Sequence, residues 1–219
     1  MKGKIIVIEG ACDGIGKSTQ FNLLKEELQK NGEVITHHFP SYNTNQGYGI
    51  ECYLKGELGK VNDLSPYFIN NLYAYDRAIT WNTFLKKEYE SGKTILFDRY
   101  TTSSIIYQSS LIEDETKRKE FINFVLDYEY NKLQIGKPDQ VIFLNAPFDL
   151  VTNLRENRKG NEGIDSDIHE QNLDFMKKVY ENSQFVSKYL NWDIVDCNIG
   201  DKFDSIDNIH KRIMSIIKK

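Results

Sequence analysis

The sequence is poor in proline, in cysteine and in long apolar runs. Four prolines, with 40% hydrophobic and 27% charged residues, are typical of a globular domain and argue against a disordered or fibrous chain. The three cysteines, Cys12, Cys52 and Cys197, form no CxxC or CxxH pair, so we expect neither a disulfide framework nor a zinc site. No apolar run approaches the roughly twenty residues of a membrane span, and Ile5 to Ile8 is too short for a secretory signal. We therefore expect a cytoplasmic protein without a membrane partner.

The chain also lacks an excess of positive charge. Its 28 basic and 32 acidic residues give a net charge of -4, which argues against nucleic acid as a partner. The four histidines show no spacing typical of Ser-His-Asp or Cys-His catalysis, and we expect His37, His38, His169 and His210 in loops, at strand ends or on the surface. At 219 residues, the length predicts a single domain, 1–219.

Short β-branched runs alternate with segments of helical periodicity. This alternation predicts an α/β fold with a five-stranded parallel sheet and helices on both faces. The expected strands are Lys4 to Glu9, Glu33 to His37, Thr94 to Phe97, Gln140 to Leu144 and Trp192 to Val195. The expected helices are one from Lys17 to the stop at Asn31-Gly32, and then Gln46 to Gly56, Ser65 to Ser91, Thr102 to Ser110, Glu115 to Ile135, Phe148 to Asn157, Asp167 to Leu190 and Phe203 to Lys218.

A glycine-rich segment, residues 9–19, joins the first strand to the first helix. Its glycines allow the backbone N–H groups to converge on an anion, while the helix N-terminus adds partial positive charge. Lys17 is expected to reach the phosphates of ATP, and the Ser18 hydroxyl to bind Mg²⁺. Ala11 stands where the phosphate-loop pattern has glycine, which leaves a simple helix-capping turn as the alternative. The expected ATP-phosphate ligands are Gly10, Gly14, Ile15, Gly16, Lys17, Ser18 and Thr19.

Four later segments follow in a defined order. Tyr73 and Arg77 lie four residues apart, so one helix face presents an aromatic ring and a guanidinium group. The segments are Phe39-Pro-Ser-Tyr42, Leu72-Tyr-Ala-Tyr-Asp-Arg77, Phe97-Asp-Arg-Tyr-Thr-Thr-Ser-Ser-Ile-Ile-Tyr-Gln108 and the charged stretch from Arg155 to Glu170. Together with the phosphate loop they resemble, in order, the motifs of the thymidylate kinase family. The phosphate loop departs from that family by one extra residue at Ala11-Cys12.

The resemblance implies a P-loop NTPase fold, a homodimer and direct transfer of a phosphoryl group from ATP to dTMP with Mg²⁺. It implies a monophosphate-binding region at about 39–110 and a lid at about 155–168. The implied catalytic residues are Lys17, Arg99, Asp13, Arg158 and Arg155, with Ser18 and Asp98 at the metal. The implied dTMP ligands are Asp13, Phe39, Tyr73, Arg77, Arg99, Ser103, Ser104, Tyr107 and Gln108, with Arg77 on the phosphate, Ser104 and Gln108 at the thymine edge and Tyr107 near C2′.

Three alternatives stay open at this point. A deoxynucleoside kinase or another monophosphate kinase shares most of these features, but a nucleoside acceptor has no phosphate for Arg77. A nucleotide-binding switch protein is expected to carry N-K-x-D, whereas Asn131-Lys132 is followed by Leu133-Gln134. A catalytically silent binding module is the third alternative, against which Lys17, Arg77 and Arg99 argue.

Overall fold

The computed structural model describes residues 2–12, 14–153 and 173–217. Its central sheet has five parallel strands in the order β2-β3-β1-β4-β5. The expectation of a five-stranded parallel sheet is confirmed. The strands are β1 Ile5–Gly10, β2 Val34–His38, β3 Thr94–Asp98, β4 Gln140–Asn145 and β5 Asp193–Asp196.

Helices connect the strands and cover both faces of the sheet. Alternate residues of β1 belong to different cores, because successive side chains of a strand point to opposite faces. Ile6 and Ile8 pack in one core with α1, α5, α6, α8 and α9, while Ile5 and Val7 pack in the other beside Trp81. The helices are α1 Lys17–Gln29, α2 Tyr48–Leu54, α3 Pro66–Thr80, α4 Lys86–Glu90, α5 Thr101–Ser109, α6 Glu115–Leu126, α7 from residue 148 with its described part ending at 153, α8 Leu173–Tyr189 and α9 Ile206–Ile216, with a 3₁₀ turn at Val61–Asp63.

Two of the expected long helices contain π-helical turns. Trp81–Leu85 separates α3 from α4, and Asp127–Lys132 follows α6. In the second turn the Leu133 N–H donates to the Tyr128 carbonyl, five residues earlier, at 2.8 Å. Such turns are often found at functional sites.

The C-terminal region differs from the expectation. Phe203 does not begin a helix but pairs with Asn198 in a small antiparallel hairpin, β6 Asn198–Ile199 and β7 Lys202–Phe203. Helix α9 starts later because the Ser205 side chain caps it, accepting a hydrogen bond from the Asn208 N–H at 3.2 Å.

The carboxyl ends of the parallel strands lie at one edge of the sheet, where ligands of open α/β folds bind. Strand register places Asp98 beside both Ile8 and His38, so the ends of β1, β2 and β3 meet there. Among the described helices, none combines the length and apolar character required to span a bilayer.

Candidate active site

The phosphate loop connects the end of β1 to the start of α1. Gly14 and Gly16 have φ angles of 95° and 90°, in the left-handed region that glycine adopts without strain. Gly16 is the N-cap of α1 and has no side chain with which to cap it, so first-turn N–H groups remain for an anion. A Cβ on Gly10 would lie 2.9 Å from Ile15 Cγ2, so the loop is closely packed as well as curved. Asp13 lies outside the described residues.

Lys17 and Asp98 form an ion pair at the mouth of the loop. His38 Nδ1 lies 3.1 Å from the other carboxylate oxygen of Asp98. Burial would raise the pKa of Asp98, but the hydrogen bond from His38 and the charge of Lys17 outweigh it and hold this pKa well below its usual range. Asp98 therefore stays ionised and holds both basic side chains.

Arg99 follows β3 directly, with a φ angle of 64°. A non-glycine residue in the left-handed region costs about 1–3 kcal/mol and is often found where a site requires a particular direction of the chain. Its guanidinium lies 4.0 Å from Glu9 and 5.7 Å from the centre of the Tyr107 ring. This turn directly after β3 leaves the Arg99 guanidinium near Glu9 and the Tyr107 ring.

Glu9 is a fully buried carboxylate at the end of β1. It accepts hydrogen bonds from the Gly10 N–H at 3.1 Å, the Thr102 hydroxyl at 2.8 Å and the Ser103 hydroxyl at 2.5 Å. These bonds connect the phosphate loop with the first turn of α5. The Ser103 hydroxyl, expected to bind dTMP, donates to Glu9 in this structure.

Arg77 is also buried, and it is paired. Its Nε and Nη2 donate to the two carboxylate oxygens of Glu129 at 2.6 and 2.7 Å. Nη2 donates to the Ser104 hydroxyl at 2.9 Å as well. Burial lowers the pKa of Arg77, but the Glu129 carboxylate more than offsets this, and the pKa is raised. The sequence predicts a guanidinium fork for a phosphate, whereas here one side of the fork is occupied by Glu129.

A cavity of about 320 Å³ brings these groups together. It joins Lys17 and Ser18 to the side chains expected at the acceptor, Phe39, Tyr73, Arg77, Arg99, Ser103, Ser104, Tyr107 and Gln108. The Tyr73 ring packs edge-on against buried Tyr53, with ring centres 6.4 Å apart. Gln108 is buried, and its Oε1 finds no hydrogen-bond partner within the described residues.

Several residues of the site were missed by the sequence reasoning. His38, Tyr42, Tyr100 and Met176 also line the cavity. For His38 a signal was available, since it directly follows the predicted strand Glu33 to His37, where the carboxyl edge of the sheet is expected. The same signal was available for Glu9, which ends the predicted strand Lys4 to Glu9 and begins the glycine-rich segment 9–19. Glu129 had no such signal beyond its charge.

The oxygen donors near the phosphate loop suit Mg²⁺. This ion prefers oxygen ligands and is often held by one or two protein groups together with phosphates and water. Ser18 is exposed beside Lys17, and Asp98 lies across the same cavity. Among the described residues, 2–12, 14–153 and 173–217, no group of three His, Cys, Asp or Glu side chains lies close enough together to hold a metal ion.

Comparisons with known proteins agree with this geometry. The family model described as Thymidylate kinase matches residues 8–213. The chain belongs to the thymidylate kinase family. A thymidylate kinase of Prochlorococcus marinus is 31% identical over all of this chain and 98% of its own. A putative thymidylate kinase of Invertebrate iridescent virus 6 is 36% identical over 82% of this chain and 75% of its own. The solved thymidylate kinase structure from Candida albicans superposes with a TM-score of 0.72 and 25% identity, covering 98% of this chain and 91% of its own.

Thymidylate kinase membership identifies the chain as an enzyme and confirms the P-loop NTPase fold. It decides against the switch protein and the silent binding module. The lid arginines Arg155 and Arg158 lie outside the described residues, as does His169, so their expected roles remain predictions.

Proposed function

We propose that this thymidylate kinase family member transfers the γ-phosphoryl group of ATP to dTMP, giving ADP and dTDP. One observation supports this most strongly. A single cavity is lined by the phosphate-loop side chains Lys17 and Ser18 and also by Tyr73 and Gln108. Donor and acceptor sites that share one cavity suit direct transfer between two bound nucleotides.

The donor end of the cavity binds phosphate. The first turn of α1 offers backbone N–H groups, and Lys17 adds a positive charge beside them. Ser18 and Asp98 are the protein oxygens that would hold Mg²⁺ here, and the ion would offset the charge of the donor phosphates. Asp98 pairs with Lys17, and the ATP phosphates are proposed to replace this partner on binding.

Catalysis is proposed to depend mainly on charge neutralisation, because the acceptor phosphate is already an anionic nucleophile and needs no general base. Arg99 lines the same cavity as Lys17 and Arg77, and its guanidinium lies 4.0 Å from Glu9 and 5.7 Å from the centre of the Tyr107 ring. It is well placed to contact both phosphates. Arg158, and after it Arg155, are proposed to add positive charge from the lid.

The acceptor end suits a thymine base. Tyr73 offers a ring already fixed against Tyr53, on which a base can stack. The Gln108 Oε1, buried and without a partner in the described chain, is a suitable acceptor for the N3–H of thymine. Tyr107 lines the same cavity beside Arg99, and its ring is proposed to pack near C2′, where a ribose 2′-hydroxyl would be disfavoured.

A homodimer in the cytoplasm is part of the proposal. Helix α3 presents an outward stripe spaced i, i+4, i+7 and i+11, formed by Phe68, Leu72, Tyr75 and Ile79, and Phe68 and Tyr75 are 43% and 60% exposed. Such a stripe suits the matching face of a second copy. The three cysteines are free thiols, as in a reducing compartment.

The test is a panel of nucleoside monophosphates with Mg²⁺ and ATP, assayed by coupled ADP release. We expect dTMP to give the highest kcat/KM. Thymidine is included as a competitor, because a deoxynucleoside kinase would phosphorylate it in preference to dTMP. Efficient conversion of another monophosphate with dTMP left unchanged would refute the substrate assignment.

A further inference from the structure

We infer that Glu129, which lies outside the recognised motifs, is the positioning residue that fixes Arg77 for binding of the acceptor nucleotide. The inference rests on the proposed function, in which Arg77 contacts dTMP. Glu129 does not line the cavity, whereas Arg77 does. Any effect of Glu129 on the acceptor therefore passes through Arg77.

The hydrogen bonds of Arg77 fix the Nε and Nη2 atoms of its guanidinium more firmly than Nη1. Of its five N–H donors, the one on Nε and the two on Nη2 are taken by Glu129 and Ser104. Within the described residues, Nη1 makes a single contact, 3.5 Å from the Tyr100 carbonyl oxygen. Nη1 thus keeps donor capacity at a cavity wall, while the rest of the guanidinium is fixed.

Glu129 is itself held by two elements. Its Oε2 accepts a hydrogen bond from the Thr101 hydroxyl at 3.0 Å, and its side chain is fully buried. Its backbone lies in the π-helical turn Asp127–Lys132, and its carbonyl accepts the Ile135 N–H at 3.1 Å. The next residues stay attached to the site, because the Tyr100 hydroxyl donates to the Gly136 carbonyl at 2.9 Å.

A carboxylate is the group that this position requires. Two parallel N–H donors match two acceptor oxygens, so glutamine, with one oxygen and one NH₂ group, can satisfy only one of them. A buried ion pair contributes little net stability compared with packed apolar side chains. At a cavity wall, however, the Arg77–Glu129 ion pair holds the guanidinium in place before the acceptor binds, which lowers the cost of binding.

The experiment compares Glu129→Gln, which keeps the length but loses the charge, with Glu129→Asp, which keeps the charge but loses the reach. KM for dTMP at saturating ATP, KM for ATP at saturating dTMP, and thermal midpoints are measured for each. We expect Glu129→Gln to raise KM for dTMP about tenfold, equivalent to about 1.4 kcal/mol, and Glu129→Asp about fivefold. KM for ATP should stay within about twofold, because Arg77 serves the acceptor only.

A purely structural role would lower the thermal midpoint without separating the two KM values. Glu115→Gln is the matched control and should change neither KM, since Glu115 is exposed and lies in α6, the helix that ends three residues before Glu129. In an Arg77→Met background, Glu129→Gln should add less than about twofold to KM for dTMP. A further fivefold rise there, or a folded Glu129 variant with the wild-type KM for dTMP, overturns the inference. Wild-type protein inactive on dTMP would instead refute the proposed function.

Discussion

Replacing Asp98 by asparagine is expected to destabilise the ligand-free protein by about 2 kcal/mol at pH 7. The substitution removes the counter-ion of Lys17, whose side chain is only 10% exposed, and weakens the contact with His38. A hydrogen bond to a charged group contributes about 1.5–3 kcal/mol, and asparagine can retain part of one such bond. The estimate is kept low because His38 is half exposed. For a domain of this size, the melting temperature should fall by about 4–8 °C.

The stability lost on Asp98→Asn should depend on pH, and it should become smaller at low pH. The pKa of folded Asp98 is well below the ordinary value of 3.8, so its ionised form adds stability above that value. This contribution is lost as the pH falls from about 4 through the folded pKa. The stability difference between the wild type and Asp98→Asn should therefore shrink below about pH 4.

Urea unfolding at pH 7 and at pH 3, followed by fluorescence without nucleotide, measures both effects. Asp63→Asn serves as the control, because Asp63 is exposed in the 3₁₀ turn. The reasoning is refuted if Asp98→Asn is as stable as the wild type at pH 7, or if its deficit is as large at pH 3.

Four further predictions concern catalysis, packing and assembly. Lys17→Ala should lower kcat for dTMP by on the order of 10²–10³ in the coupled assay, and near-wild-type turnover would refute the mechanism. Arg158→Ala should lower kcat by roughly a thousandfold with little change in thermal midpoint. Gly136→Ala should destabilise the fold by about 1–3 kcal/mol in urea unfolding, because its Cβ would lie 2.3 Å from Ile5 Cδ1 and from the Trp81 ring. Under the proposed homodimer, light scattering should give a dimer for the wild type and a monomer for Tyr75→Glu, since the substitution places a charge on the stripe of α3.

The three central strands β1, β3 and β4 could be predicted from sequence because they are largely buried on both faces. Such strands consist of continuous β-branched runs, and β1 and β3 were placed to within one residue at either end. The π-helical turns could not be predicted in this way, because their residues keep the helical periodicity of the helices on either side. The β6–β7 hairpin was missed because Phe203 fits the apolar spacing of the helix that follows it.

The positions of the site residues could be predicted better than their partners. Motif spacing placed Arg77, Arg99 and Ser103 at one cavity, and the structure brings them there. Motif spacing does not predict which carboxylate, distant in the sequence, pairs with each of these side chains. Glu129 lies 52 residues from Arg77, and that contact depends on how the π-helical turn packs in the folded chain.

These partners give a reason for the hydroxyl-rich start of α5. Thr101 donates to Glu129, whereas Thr102 and Ser103 donate to Glu9, so the two buried carboxylates bind the first turn of the helix. Glu129 also holds Arg77, and Glu9 lies 4.0 Å from Arg99. Each carboxylate therefore lies beside one arginine of the cavity and accepts hydrogen bonds from the same helical turn. Because Glu9 also accepts the Gly10 N–H, the phosphate loop is connected to that turn as well, which suits a reaction that depends on positioning.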